Sequence, residues 1–105
     1  MSAKTAPRLI PARLDFGAED GRAESWGKLM SLTPAGAQLT TLARLTRGQT
    51  VILAFEVNGE PFSELHARVM AADEDADGFC AAELDFTDIL ARRRLSTILL
   101  DALSR

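Results

Sequence analysis

The stretch TVILAFEVNGEPF, from Thr50 to Phe62, decides the fold. In its first half the large apolar side chains of one face occupy every second position, at Val51, Leu53, Phe55 and Val57. Side chains of a strand point alternately to its two faces, so this spacing predicts a β-strand with one buried face. Asn58-Gly59 follows directly and is a strong signal for a two-residue hairpin turn. The stretch therefore predicts two antiparallel strands joined by a tight turn.

The same alternation continues on both sides of this hairpin. Downstream, the returning strand alternates apolar Leu65, Ala67 and Val69 with polar neighbours, and FCAAELDF (79–86) predicts another strand. Upstream, three short segments have strand-like patterns: ARLDFGA (12–18), ESWGKLMS (24–31) and GAQLTT (36–41). Six short antiparallel strands with short connections favour a closed barrel or a small sandwich over a βαβ topology.

After Phe86 the apolar spacing changes from two to the period of a helix. One stripe collects the side chains at Ala91, Leu95, Ile98, Leu99 and Ala102. Thr87 is the predicted cap, and Asp88 suits the positive end of the helix dipole. The sequence therefore predicts a single domain with a flexible basic arm (1–11), a barrel (12–86) and a terminal helix (87–104) packed on it.

Composition excludes several classes of protein. The chain has 105 residues, of which 47% are hydrophobic and 26% charged, as in a soluble globular domain. A net charge of −3 argues against nucleic-acid binding, and no apolar run is long enough to insert into a membrane. The first residues lack the apolar segment of a signal peptide, and the single cysteine, Cys80, cannot form an internal disulfide. We therefore expect a cytoplasmic protein.

Two polar motifs stand out as candidates for ligand binding. The first is the basic segment KTAPR, with Lys4 and Arg8, and the second is SLTPAG, from Ser31 to Gly36. A polar turn that ends in glycine brings backbone amides and hydroxyls close to a ligand, because glycine has no Cβ. A basic arm can then fold over a bound anion. Strand alternation places Arg13 on the outer face, where it offers a second guanidinium.

These motifs, followed by a six-strand and one-helix order, resemble the PilZ domain family, whose members typically bind cyclic di-GMP. The family pattern is an RxxxR arm and then a [D/N]xSxxG turn. Arg8 matches the second arginine, and Lys4 stands where the first is expected. Gly36 matches the glycine, Thr33 keeps the hydroxyl of the serine, and Ser31 replaces the acidic or amide residue.

The resemblance implies a PilZ-like barrel with a C-terminal helix and a cyclic di-GMP site. In that site Lys4, Arg8 and Arg13 would meet phosphates and guanines, and the turn residues Ser31, Thr33 and Gly36 would line it. Two hypotheses stay open. One is a receptor whose partner-binding surface changes when ligand orders the arm, and the other is a ligand-free adaptor that acts by protein contact alone. Either would serve motility, pilus function or biofilm control in bacteria.

Catalytic and metal-binding patterns are not found in the sequence. There is one histidine, no tyrosine, no GxSxG and no P-loop, so we do not expect an enzyme or a cofactor. DEDADG, from Asp73 to Gly78, resembles the start of a calcium loop, but the position of the bidentate glutamate is Leu84. We interpret DEDADG as a solvated hairpin turn and expect no metal.

The helix also carries apolar residues outside its stripe. Ile89 and Leu100 are expected near the edge of the stripe, and Leu90 farther round. Each side chain would gain about 1.5–3 kcal/mol from full burial. We therefore expect them to contact another protein, either a second copy, as in a homodimer, or a different partner. The alternative is that the barrel already covers Ile89 and Leu100.

Overall fold

The computed structural model describes residues 9–17 and 24–103, with side chains up to Leu100. The described elements, in chain order, are β1 (Ile10–Asp15), β2 (Ser25–Leu32), β3 (Gly36–Thr41), β4 (Thr50–Val57), β5 (Glu60–Glu74), β6 (Cys80–Phe86) and α1 (Ile89–Leu103). The predicted order, six strands followed by a C-terminal helix, is confirmed.

The strands form a closed barrel in the order β1-β2-β3-β6-β5-β4. Every neighbouring pair is antiparallel, and β1 closes the barrel by pairing with both β2 and β4. Closure gives every strand a hydrogen-bonded neighbour on both sides, so the sheet has no free edge strand. The predicted six-stranded antiparallel barrel is therefore confirmed.

The central hairpin has the geometry that its sequence predicts. The inward side chains of β4 are all buried. Asn58 and Gly59 both have positive φ, 51° and 80°, as a two-residue hairpin turn of the favoured twist requires. The rings of Phe55 and Phe62 stack across the hairpin with their centroids 5.4 Å apart. Alternation and turn chemistry therefore agree, which fixes the register of this part of the barrel.

The acidic turn between β5 and β6 is built by one of its own carboxylates. Asp75 Oδ1 accepts hydrogen bonds from the amides of Asp77 at 2.9 Å and Phe79 at 3.0 Å. Gly78 supplies the positive φ of 88° that closes the turn. The interpretation of Asp73–Gly78 as an exposed hairpin turn holds for residues 75–78, whereas Asp73 and Glu74 belong to β5.

The start of the helix corrects one prediction. Asp88, and not Thr87, is the cap, because its Oδ1 accepts from the amides of Leu90 at 3.0 Å and Ala91 at 3.4 Å. The Thr87 hydroxyl instead donates to the carbonyl of His66 in β5, 3.3 Å away. Thr87 is therefore held by the barrel and is unavailable to the helix.

A second correction concerns the boundary of the N-terminal arm. The segment 1–11 was expected to be flexible, but Ile10 and Pro11 belong to β1 and pair with Leu29 and Lys28 in β2. Pro11 is tolerated at the start of the strand, where a missing amide costs the ladder least. Residues 1–8 lie outside the described part of the chain.

The helix packs on the barrel through the predicted stripe. Leu95 is fully buried, and Ala91, Ile98 and Leu99 are partly buried against the core. The opposite face is exposed: Ile89, Leu90 and Leu100 keep 62%, 73% and 63% of their surface accessible.

The expectation that Ile89 and Leu100 lie at the edge of the stripe is therefore wrong. At about 100° per residue they lie about 120° and 140° from Leu95, so both point away from the barrel.

Candidate functional site

The turn SLTPAG joins β2 to β3, and its threonine hydroxyl holds it together. Thr33 Oγ1 accepts hydrogen bonds from the amides of Ala35 at 3.2 Å and Gly36 at 3.1 Å. The same hydroxyl donates to the carbonyl of Gly36 at 3.2 Å, and the amide of Thr33 donates to that oxygen at 2.9 Å. These bonds are typical of a hydroxyl-stabilised turn. Thr33 therefore has a structural role that its motif position alone does not reveal.

Gly36 lies where two strands come unusually close. A Cβ at this position would overlap the carbonyl oxygen of Leu84 in β6. The amide of Phe86, two residues further along β6, donates to the carbonyl of Ala35 at 2.9 Å. The close approach that requires glycine is therefore to β6, whereas the sequence interpretation assigned it to a ligand.

An open groove of about 330 Å³ lies on the outer face beside this turn. Its floor is a row of residues in register across three strands, Ser31 in β2, Gln38 in β3 and Glu83 in β6. Met70 and Asp85 also line the groove. We call this feature the β2–β3–β6 groove. It offers a hydroxyl, an amide and two carboxylates at one place.

The charge of the groove is negative. Among the described residues that line it, Glu83 and Asp85 are charged, and none is lysine or arginine. Arg68 lies directly across from Asp85 on β5, whereas the register neighbours of Glu83 are Gln38 and Ala71. The described part of the groove therefore repels phosphate and attracts a cation.

Arg13 is not part of this groove. It pairs with Trp26 in β2 and Ala54 in β4. Trp26 precedes Ser31 by five residues on the same strand, a separation of about 16 Å. The Nε of Arg13 lies 3.2 Å from Oε1 of Glu24, with which it forms an ion pair. The hypothesis that Arg13 shares a site with the turn is therefore corrected by the register of β1 on β2.

Lys4 and Arg8 lie outside the described residues, but the entry of the chain into β1 is described. Ile10 pairs with Leu29, two residues before Ser31. Because the two strands are antiparallel, the chain enters β1 on the side of the barrel wall where the turn lies. Arg8 is bonded directly to Leu9, the first described residue.

The helix carries a contact that sequence reasoning missed. The guanidinium of Arg94 lies over the ring of Phe62, with Cζ 4.2 Å from the ring centroid. Its Nη2 donates to the carbonyl of Pro61 at 2.9 Å and to Oε1 of Glu60 at 3.3 Å. Helical spacing places Arg94 away from the stripe, and only the position of the β4–β5 hairpin reveals its partners. Arg94 therefore fastens the helix to that hairpin.

The described part of the chain has neither a cluster of metal-binding side chains nor a membrane-spanning helix. Within residues 9–17 and 24–103, no group of three or more His, Cys, Asp or Glu side chains could hold a metal ion. The same part of the chain contains no helix with the length and apolarity needed to cross a membrane.

The fold is similar to those of several solved structures. One is YcgR from Escherichia coli, in complex with c-di-GMP, which is 14% identical in sequence and matches with a TM-score of 0.68. The match covers 90% of this chain and 42% of the YcgR chain. A second is MrkH from K. pneumonia, which is 13% identical and matches with a TM-score of 0.67. The match covers 90% of this chain and 44% of the MrkH chain. For the PilZ domain of CeSA from a cellulose synthesizing bacterium, identity is 23%, the TM-score is 0.65, and the coverages are 95% and 97%.

These comparisons establish a PilZ-like fold, as the motifs led us to expect. The chain spans less than half of the MrkH and YcgR chains and nearly all of the CeSA PilZ domain. No family model and no curated protein sequence matches the chain.

Proposed function

We propose that this chain is a cytoplasmic PilZ-type adaptor, not an enzyme, that binds cyclic di-GMP weakly beside the Ser31–Gly36 turn and signals to a protein partner. The observation that carries the proposal is the entry of the chain into β1. In this fold, Leu9 leads into Ile10, whose register partner Leu29 lies two residues before Ser31. Arg8 and Lys4 are thus within a few residues of the groove, as an arm that closes over a nucleotide requires.

The groove offers suitable groups for a guanine base. The hydroxyl of Ser31 and the amide of Gln38 can each donate and accept hydrogen bonds. Arg8 can grip a phosphate with two parallel hydrogen bonds, whereas Lys4 provides only a point charge. The loss of one bidentate contact between an arginine and a phosphate costs about 1.5–3 kcal/mol of binding free energy. This corresponds to a loss of roughly ten- to a hundredfold in affinity. Together with the carboxylates of Glu83 and Asp85, this predicts an affinity no tighter than micromolar.

The exposed face of the helix is the proposed partner-binding surface. Ile89, Leu90 and Leu100 are all more than 60% exposed, and the exposed Arg93 lies between them on the same face. Apolar side chains beside arginine are typical of the centres of protein interfaces. The partner is either a second copy of the chain or another protein of a motility, pilus or biofilm system.

A ligand-free adaptor is the second candidate, and a specific observation favours it. The described groove has two carboxylates and no cation, and Arg13 is both distant and paired with Glu24. If the arm cannot overcome this negative charge, the domain acts through its helix face alone.

A calorimetric titration with cyclic di-GMP distinguishes the two candidates. In the receptor, Arg8→Ala abolishes binding, and Lys4→Arg with Ser31→Asp tightens it at least tenfold, because the pair restores the guanidinium and its carboxylate partner. A matched control, Lys28→Arg with Ser63→Asp, makes the same two changes outside the groove and leaves the affinity unchanged.

If the Lys4→Arg and Ser31→Asp variant is as inert as the wild type, the receptor hypothesis is refuted. The ligand-free adaptor then stays as the proposed function.

A further inference from the structure

The three consecutive arginines of α1 lie on three different sides of the helix. The guanidinium of Arg94 stacks on the ring of Phe62 in the β4–β5 hairpin. At about 100° per residue, Arg92 lies about 60° from the fully buried Leu95, on the flank of the helix, whereas Arg93 lies about 160° from it. Arg93 is also exposed, so it occupies the middle of the face that points away from the barrel.

The four positions one turn before or after Arg93 carry no charge. They are Ile89, Leu90, Ser96 and Thr97. Ion pairs within a helix form at these spacings, so the helix offers Arg93 no carboxylate. Arg93 also forms no ion pair with any carboxylate of the described residues. Its guanidinium therefore lies without a counter-charge among exposed aliphatic side chains.

A pairing of two copies through this face would bring like charges together. In an interface with a two-fold axis the same patch of both copies meets itself. If Leu90 packs on Leu100 of an antiparallel second copy, the axis passes level with residue 95, and the two Arg93 residues lie about 6 Å apart along the helices. Asp101 would then lie opposite Ile89, one turn away from Arg93. Unpaired like charges at the axis disfavour a second copy as the occupant of this face.

We propose that the exposed face of α1 docks into an apolar groove of a different protein, that this groove carries a carboxylate at its centre, and that Arg93 binds that carboxylate. The inference rests on the proposed partner-binding surface and names the chemistry of the partner. A carboxylate accepts two parallel hydrogen bonds from a guanidinium, and the surrounding aliphatic side chains strengthen the pair because they exclude water. The spacing from Leu90 to Arg93 and on to Thr97, three and then four residues, is that of helices that bind in grooves.

The variant Arg93→Glu provides an occupant of known chemistry, because it has the same helix face with a carboxylate at the centre. Sedimentation equilibrium of the wild type, of the variant and of their equimolar mixture measures three association constants. Like charges oppose pairing in either protein alone, whereas the mixture places a guanidinium beside a carboxylate. We expect the constant of the mixed dimer to exceed both of the others at least about tenfold.

Two further variants show whether the position of the charge matters. Arg93→Leu removes the central charge and should self-associate at lower concentration than the wild type. The matched control Arg92→Glu makes the same charge change on the flank of the helix, and its mixture with the wild type should associate no more than the wild type alone. All three substitutions are at exposed positions, so each melting temperature should stay within about 3 °C of the wild-type value.

Three results would overturn the inference. They are a mixture with Arg93→Glu that associates no more tightly than the wild type, an equal gain with Arg92→Glu, and an Arg93→Leu variant that stays monomeric. Vesicles of equal amounts of phosphatidylcholine and phosphatidylglycerol test a membrane as the occupant. Binding of the wild type that Arg93→Glu loses would assign the face to anionic lipid, and the proposal of a protein groove would be withdrawn. Because every measurement is made without cyclic di-GMP, none of these results decides the titration that tests the proposed function.

Discussion

Replacing Gly36 by alanine separates a structural from a ligand-binding role for the one glycine that matches the family pattern. The added Cβ would overlap the carbonyl oxygen of Leu84, a backbone atom that cannot rotate away. Relief requires β3 and β6 to move apart where Gly36 pairs with Asp85. The variant therefore strains the barrel wall whether or not a ligand is present.

The expected cost follows from the nature of the clash. Overpacking by one carbon typically costs 1–3 kcal/mol, and a rigid backbone neighbour places this substitution at the upper end, at about 2–3 kcal/mol. For a domain of this size each kcal/mol shifts the melting temperature by about 4–8 °C. We therefore expect Gly36→Ala to lower the melting temperature by about 10–20 °C.

Thermal unfolding followed by circular dichroism, with cyclic di-GMP absent, measures this effect. The control is Ala35→Ser, which adds one atom at an exposed neighbouring position and should change stability by less than about 0.5 kcal/mol. If Gly36→Ala melts as the wild type does, the crowding argument is wrong. Gly36 would then be required for the close approach of a ligand, and its substitution should weaken the binding of cyclic di-GMP instead of the stability.

Three further tests concern the helix, and the first two compare a substitution with a matched one. Asp88→Ala should lower the free energy of unfolding by about 1 kcal/mol in a urea titration, and Thr87→Ala by less, because Asp88 is the cap. Arg94→Lys should lower the free energy of unfolding by about 0.5–1 kcal/mol, because the guanidinium no longer stacks on the ring of Phe62. The control Arg93→Lys, at an exposed position, should leave the free energy of unfolding unchanged. Leu100→Glu should leave the melting temperature within about 3 °C of the wild-type value, because the side chain is exposed. The variant should weaken any self-association that the wild type shows in sedimentation velocity. A large drop in melting temperature would contradict the exposure of Leu100.

Local patterns were sufficient for the elements but not for the contacts between them. Alternation through β4 and the positive φ of Asn58 and Gly59 follow from residues close in the chain. The choice between Thr87 and Asp88 as cap does not, because it depends on the carbonyl of His66, which is distant in sequence. Both residues are good caps in isolation. The tertiary contact between Thr87 and His66 therefore leaves Asp88 as the cap.

The candidate site was predictable only in part for the same reason. Alternation correctly places Arg13 on the outer face, but its distance from Ser31 depends on the pairing of Arg13 with Trp26. The pairing of β3 with β6 brings Gln38 beside Glu83 across more than forty residues of sequence. Such a pairing leaves no local pattern, so the groove and its negative charge emerge only from the register.

One strand connects the groove to the helix, and this bears on how the proposed adaptor would work. Asp85 lies in the groove, and the amide of Phe86, the next residue, donates to the carbonyl of Ala35 in the turn. Asp88 caps the helix two residues later, and the exposed Ile89 follows directly. A shift of β6 by an occupant of the groove would therefore reach the start of the proposed partner-binding surface through four consecutive residues. Because β6 also pairs with β3 and β5, and Thr87 bonds to His66, such a shift would be resisted by both neighbouring strands.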